Sequence, residues 1–185
     1  MFATERKLNQ KNFIPLNFGT THRMEPSAKL SAAQSQLNLV LGFFSRVDTK
    51  LSVVLGIDLA MLGVLSTKIV ATDKPTLISI CGAAIFGILL IASFMQLYRG
   101  SFPNLEGGHA SIVFFREIQK KSETEFLKAY REASPEALAE DYLGQAWRNS
   151  KILTMKFDRL KSSYIYMAWA VLPWAVTLMS LTEFK

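Results

Sequence analysis

The sequence TLISICGAAIFGILLIASFMQL, residues Thr76 to Leu97, decides the fold, because its 22 residues contain no charge. A helix rises about 1.5 Å per residue, so this stretch reaches roughly 33 Å, the thickness of the hydrocarbon core of a bilayer. Lipid offers no hydrogen-bond partner to backbone groups, which leaves a helix as the form that satisfies a single segment. A chain of 185 residues is too small to bury such a helix in a water-soluble core. We therefore predict that this stretch spans a membrane.

A second span is predicted directly before it, at about residues 51–69, so that the two spans form a hairpin over residues 51–97. The link between them, Ala71–Pro75, is only five residues long and requires antiparallel helices. Small residues four apart occur in both spans, and such pairs let helix backbones approach closely in a membrane. The sequence therefore predicts contact between the two spans through Gly56 and Ala60 on one side and Ala83 and Gly87 on the other.

Asp58 lies inside the first of these spans. An ionisable residue in a membrane costs about 2.5–3.5 kcal/mol on insertion scales, and such residues tend to face a bundle interior or water. Two interpretations stay open. Asp58 is either part of a pore or gate, or a structural residue that is hydrated near the interface or paired with a polar group of another chain.

The two ends of the chain differ in pattern. Residues 1–28 show no period and are expected to be disordered, whereas residues 29–50 have helical apolar spacing and lead without a breaker into the first span. Residues 164–182 are predicted to form a third span, because Tyr164 to Leu181 contains no charge and has aromatic residues at its entry. Pro173 would kink such a helix without preventing a span. The alternative is an amphipathic core helix.

Residues 98–163 hold 11 Lys+Arg and 9 Asp+Glu, so we expect this region to be a small helical bundle in water. An apolar face is expected in Ser111–Lys121, followed by a capping box at Ser122–Glu125 and a short helix that buries Phe126, Leu127 and Tyr130. Ser134-Pro135-Glu136 is typical of the start of another helix, which meets no breaker before Pro173. The carboxylates of residues 132–141 are expected to form a solvated face.

Charge predicts the orientation. The first 50 residues carry seven Lys+Arg against three acids, and residues 98–163 are also rich in Lys and Arg. With three spans these two regions lie on the same face, which the positive-inside rule assigns to the cytoplasm. The net charge of +6 is better explained in this way than by binding to nucleic acid.

The sequence contains no pattern of an enzyme. Its two histidines form no metal-binding motif, no glycine-rich phosphate loop or nucleophile elbow occurs, and the single Cys81 lies in the apolar run. We therefore expect no catalytic residue, no metal and no cofactor.

One ligand site is suggested by the residues themselves. Free backbone N–H groups at the glycine pair of Pro103–Ser111 would bind an anion at a helix start. The polar run Gln145–Lys151 offers donors for a phosphate or a base edge, and an aromatic ring would stack on a base. The alternative is a simple turn and a solvated face. The candidate residues are Asn104, Gly107, Gly108, Ser111, Phe115, Gln145, Trp147, Arg148, Asn149 and Lys151.

The same stretches carry a resemblance to a known family. LNLVLGFFSRVDTKLSVVLGID, PNLEGGHASIVFFREI and QAWRNSKILTMKFDRLK resemble, in this order, the Pycsar transmembrane effectors, and the resemblance covers about Leu37 to Trp174. It implies a bacterial antiviral effector of the inner membrane. A partner cyclase would make cCMP or cUMP after phage infection, and the effector would respond by impairing membrane integrity. The resemblance assigns no role to individual residues.

We therefore expect an all-α membrane protein with three transmembrane helices and a small cytoplasmic helical bundle. The bundle would sense the cyclic nucleotide, and the spans would assemble as a homo-oligomer in the lipid bilayer, with the N-terminus cytoplasmic. The main alternative is a constitutive membrane scaffold or small channel without a nucleotide ligand, and a membrane enzyme is a third class. A neighbouring cyclase gene, or a binding titration, separates the first two.

Overall fold

Three long helices dominate the computed structural model, which describes residues 24–72, 75–103 and 108–182. In chain order the helices are α1 (Pro26–Val70), α2 (Leu77–Ser101), α3 (Phe115–Ile118), α4 (Glu123–Glu132) and α5 (Pro135–Thr182). The described residues include no strand, so the all-α prediction is confirmed. Helices α1, α2 and α5 are each long and apolar enough to cross a membrane, as predicted.

Two of these helices are much longer than a bilayer requires. Helix α1 has 45 residues and α5 has 48, whereas a span needs about 20. The apolar half of each is the predicted span, and the other half extends into the polar region. Helix α5 continues through Pro173 to Thr182. Residues 1–23 of the segment predicted to be disordered lie outside the described residues, and α1 already begins at Pro26.

Local chemistry explains where the helices begin. The Thr76 hydroxyl accepts a hydrogen bond from the Ser79 N–H at 3.2 Å at the start of α2. Ser122 and Glu125 form the predicted capping box at the start of α4, and these hydrogen bonds hold the pKa of the Glu125 carboxyl below its usual range. At the start of α5, Ser134 accepts from the Ala137 N–H at 3.1 Å.

Pairs of contacts fix the directions of the three helices. Gly82 of α2 lies against Thr177 of α5, and Gly100 of α2 lies so close to Arg159 of α5 that an added Cβ atom would be 3.2 Å from it. The residue number on α5 falls as that on α2 rises, so these helices are antiparallel. Lys156 binds Asp48 of α1 at 2.5 Å. The Trp174 indole N–H, further along α5, donates to the Met61 carbonyl at 2.9 Å, so α1 and α5 are parallel.

The apolar core lies where the three helices meet. Two clusters follow each other along the bundle, and each includes residues from α1, α2 and α5. The first contains Val47, Leu51, Val54, Leu97, Leu160 and Met167, and the second contains Met61, Leu65, Phe86, Leu90 and Ala170.

The predicted close contact between the first two spans is wrong. A Cβ atom at Gly56 or Gly87 would meet nothing within 4 Å, and α1 and α2 touch only sparsely. The reason is that α5 lies along both helices and provides the main interface of each. The small residues that permit close approach are Gly82, which faces Thr177 of α5, and Gly100, which lies against Arg159 of α5.

Two predictions for the polar region are also wrong. The apolar spacing of Ser111–Lys121 predicts one face of a helix, but the segment contains only the single helical turn of α3, because side chains rather than helical carbonyls accept the N–H groups of residues 112–114. Helix α4 buries none of its residues, and its Leu127 and Tyr130 remain 41% and 44% exposed. Their apolar spacing is real, but α4 makes only sparse contact with the long helices, such as that of Tyr130 with Tyr142 of α5.

Candidate functional site

A cavity of about 210 Å³ lies in the polar region, between the first half of α1, the segment 108–118 and the first half of α5. Leucines form one wall, phenylalanine rings form another, and polar side chains of α5 form the third. The lining residues are Leu37, Leu41, Val113, Phe114, Phe115, Gln145, Arg148, Asn149 and Ile152. Six of the ten predicted ligand residues are therefore in or beside this cavity, namely Gly108, Ser111, Phe115, Gln145, Arg148 and Asn149.

Asp141 holds the segment that closes the cavity. Its Oδ2 accepts hydrogen bonds from the Ser111 hydroxyl at 2.9 Å and from the N–H groups of Ile112 and Val113 at 2.9 and 3.2 Å. A carboxylate was expected to be solvated at this position, and that expectation is wrong for Asp141. Its position four residues before Gln145 places both side chains on one face of α5, which is the sequence signal that indicates a shared role.

Ser111 is the centre of this network. Its hydroxyl accepts from the N–H groups of Val113 and Phe114 at 3.1 and 2.9 Å, and from the Gln145 side-chain amide at 3.2 Å. Because the same hydroxyl donates to Asp141, its hydrogen-bonding capacity is fully used. Ser111 therefore positions the segment and Gln145 rather than offering a free group to a ligand.

Arg148 provides the charge of the cavity. Its guanidinium lies directly over Gly108, in the space that a Cβ atom at that position would occupy. The guanidinium is also close to Gly144, where an added Cβ atom would lie 3.1 Å from the Arg148 Nη2. The Nε atom is buried and has no hydrogen-bond partner among the described residues. A guanidinium carries five N–H donors in a planar fork, so Arg148 has capacity for an acceptor beyond those that the described residues supply.

The remaining predicted residues are placed as follows. Asn149 donates from its amide to the Gln145 carbonyl at 2.9 Å, one turn earlier on α5. Trp147 is 60% exposed on another face of α5, and the Lys151 ammonium lies 3.7 Å from the centre of its ring. Neither Trp147 nor Lys151 lines the cavity. Asn104 and Gly107 lie outside the described residues.

Asp58 is far from this cavity, at the contact of all three long helices. It is fully buried, and its Oδ2 accepts a hydrogen bond from the Ser93 hydroxyl of α2 at 2.6 Å. The same hydroxyl lies 3.4 Å from the Ser163 carbonyl of α5. The other oxygen, Oδ1, has no partner among the described residues. Ser93 and Ser163 were not predictable as neighbours of Asp58, because single serines in apolar runs carry no signal of their own.

The fold and the cavity define a class of protein, a helical membrane protein whose three long helices carry a polar region with a small lined cavity. The family model described as the Pycsar effector protein domain matches residues 32–181, and the chain belongs to this Pycsar effector family. The resemblance inferred from the sequence is thus confirmed. The chain is 37% identical over 81 residues to the Pycsar effector protein GmPycTM of Gulbenkiania mobilis, an alignment that covers 40% of this chain and 41% of that relative. No solved structure matches the chain.

Proposed function

We propose that the protein is a membrane effector of antiphage defence that is activated by a cyclic pyrimidine mononucleotide. A partner cyclase would supply cCMP or cUMP, and the bound effector would impair the integrity of the bacterial inner membrane. Membership of the Pycsar effector family supports the defence role. In this proposal the chain catalyses no reaction.

The observation that supports the ligand proposal is the buried Nε of Arg148, which has no hydrogen-bond partner among the described residues and lies beside a cavity with apolar and polar walls. A cyclic nucleotide has a single negative phosphate and a flat base, and these two parts require different surroundings. Arg148 would bind the phosphate in charge-assisted hydrogen bonds, and the base would lie against Phe115 and Leu37. A cavity of about 210 Å³ is below the roughly 300–1,000 Å³ of pockets for drug-sized ligands, which favours a one-ring base over a purine.

The long helices offer a direct route from the cavity to the membrane. The cavity is lined by Leu37 and Leu41 of α1 and by Arg148 and Ile152 of α5. Both helices continue without a break from the cavity into their predicted spans. A ligand that changes the separation of α1 and α5 at the cavity would therefore move the contact of these helices at Asp58. We propose that Asp58 becomes part of a hydrated path when several copies assemble, which would give the carboxylate in the span a role.

A binding titration tests the ligand proposal. The purified full-length protein is titrated calorimetrically with cCMP, cUMP, cAMP and cGMP in one detergent. We expect saturable binding of at least one pyrimidine nucleotide and at least tenfold weaker binding of both purine nucleotides. Absence of binding to all four would support a constitutive scaffold or channel instead.

A further inference from the structure

We propose that the groove between α1 and α5 at the edge of the membrane binds one anionic phospholipid. The groove has a volume of about 590 Å³ and is lined by residues of both helices. This site is distinct from the proposed nucleotide cavity and does not depend on it. The lipid would contribute one acyl chain to the groove and its phosphate to lysines at the rim.

The floor of the groove suits an acyl chain. Val53 and Val54 of α1 and Leu160 and Ile165 of α5 form it, and all four side chains are aliphatic. Val54 and Leu160 belong to the buried core, so the floor is fixed by the packing of the bundle. Val53 and Ile165 are 56% and 46% exposed, and in a membrane these exposed surfaces face lipid.

The rim suits a phosphate. Lys50 stands on α1 and Lys161 on α5, on the two sides of the groove, and among the described residues that line it none is acidic. A second groove of about 460 Å³ shares Lys50 and extends along α1 to Arg46. Asp48, the carboxylate nearest in sequence to Lys50, is engaged by Lys156. The rim therefore presents the two cations Lys50 and Lys161, and Arg46 adds a third along α1.

The position along the helices suits a phospholipid in particular. Lys50 directly precedes the predicted span of α1, and Lys161 lies three residues before that of α5. Helix α2 ends at Ser101, and Gly100 lies against Leu51 and Arg159, so all three helices leave the apolar zone at this level. Basic residues near the membrane surface attract anionic lipid by about 1 kcal/mol each. A phospholipid at this depth would place its phosphate at the lysines of the rim and one acyl chain against the aliphatic floor of the groove.

Native mass spectrometry of the full-length protein tests this proposal. The protein is equilibrated with equimolar phosphatidylcholine and phosphatidylglycerol, and the lipids it retains are counted. We expect one phosphatidylglycerol per chain, retained in preference to phosphatidylcholine. The double variant Lys50→Gln, Lys161→Gln should lose roughly tenfold in relative affinity, about 1.4 kcal/mol. The control Lys68→Gln, Lys128→Gln removes the same charge away from the groove and should bind like the parent.

A second pair of variants tests the acyl-chain floor without changing charge. Ile165→Trp fills the groove and should reduce retention of phosphatidylglycerol. The matched control is Ile85→Trp: Ile85 lies on α2, away from the groove, with 52% of its surface exposed, and this variant should retain as much phosphatidylglycerol as the parent. The parent alone gives an independent measurement, because a phosphatidylglycerol with a photoreactive tail should label peptides containing residues 50–54 and 157–165. Equal retention of both lipids by the parent, or labelling elsewhere only, would overturn the proposal. An Ile165→Trp variant that changes only the oligomeric state would also overturn it and identify the groove as a subunit interface.

Discussion

At the scale of single residues, the contact between Arg148 and Gly108 links the cavity to the segment that closes it. The structure leaves no room for a side chain at Gly108 because the guanidinium of Arg148 occupies that space. The guanidinium is the end of a flexible side chain, so an added methyl group would displace it without unfolding the protein. Position 108 thus offers a way to move Arg148 while keeping its charge.

We predict that Arg148→Ala weakens nucleotide binding by about 1.5–3 kcal/mol, the range for hydrogen bonds to a charged group. Gly108→Ala should also weaken binding, with an unchanged melting temperature. The matched control is Gly42→Ala on α1, where a Cβ meets nothing within 4 Å, and it should bind like the parent. Calorimetric titration measures all three variants. Parent-like affinity in both Arg148→Ala and Gly108→Ala would place the site elsewhere.

Asp58 is the second residue with a specific expectation. Its burial against Ser93 means that a pore involving it requires the three helices to separate. Asp58→Leu should slow membrane depolarisation in cells that express the effector with its cyclase, because an apolar constriction excludes ions. Asp58→Asn keeps the polarity and size of the side chain, so its rate of depolarisation should lie between that of Asp58→Leu and that of the parent.

The control for this series is Gly63→Leu, on a face of the same helix where a Cβ has open space, and protein levels are matched throughout. Depolarisation of the Asp58→Leu variant at the parent rate would make Asp58 a structural residue. The membrane damage would then have to arise from disruption of lipid by the helices themselves.

At the scale of helices, α5 determines the architecture because α1 and α2 each pack mainly on it. At Gly82 α2 closely approaches α5, against the Thr177 hydroxyl, which itself donates to the Pro173 carbonyl at 2.6 Å. We predict that Gly82→Val lowers the free energy of unfolding by about 1–3 kcal/mol through overpacking. Gly87→Val, on the open side of the same helix, should have little effect. Thermal unfolding of both variants in one detergent measures the difference, and equal melting temperatures would contradict this packing.

The helices were predictable from the sequence because length, capping and apolar runs act locally. The 22-residue uncharged run, the Ser122–Glu125 capping box and the start at Ser134 all correspond to observed helix features. Which helices pack together was not predictable in this way. Gly56 and Ala60, like Ala83 and Gly87, have the four-residue spacing of a contact surface, yet only the structure reveals that α5 lies along both helices. The close approach is instead at Gly82, against α5.

The cavity was predictable in part for the same reason. Gln145, Arg148 and Asn149 recur at helical spacing, and the sequence pattern places them on one face of α5. Trp147 and Lys151 belong to the same polar run but lie on another face of α5, away from the cavity. The composition of the run does not separate these two residues from the others, whereas its helical period does. The role of Asp141 was not predictable, because the groups that donate hydrogen bonds to its carboxylate belong to residues about 30 positions earlier in the chain. Local sequence patterns carry no information about such distant contacts.

At the scale of the whole molecule, charge and topology predict which regions share a side of the membrane. Helices α1 and α5 are parallel, so the cavity and the groove rim lie on one side and the C-terminal end of α5 on the other. We expect the basic side to be cytoplasmic. A periplasm-dependent reporter fused after Lys185 should be active, and one inserted at Ser122 should be silent. The reverse pattern would contradict three spans with a cytoplasmic N-terminus.

The claim that joins these scales is that a small nucleotide bound in the polar region makes the membrane leak. The most direct measurement is ion flux from liposomes that contain only the purified protein, recorded before and after addition of cCMP, cUMP, cAMP or cGMP. The account predicts little flux without nucleotide, a marked increase with cCMP or cUMP, and a smaller increase at the same concentration for Arg148→Ala. Flux that is equal with and without every nucleotide would contradict it.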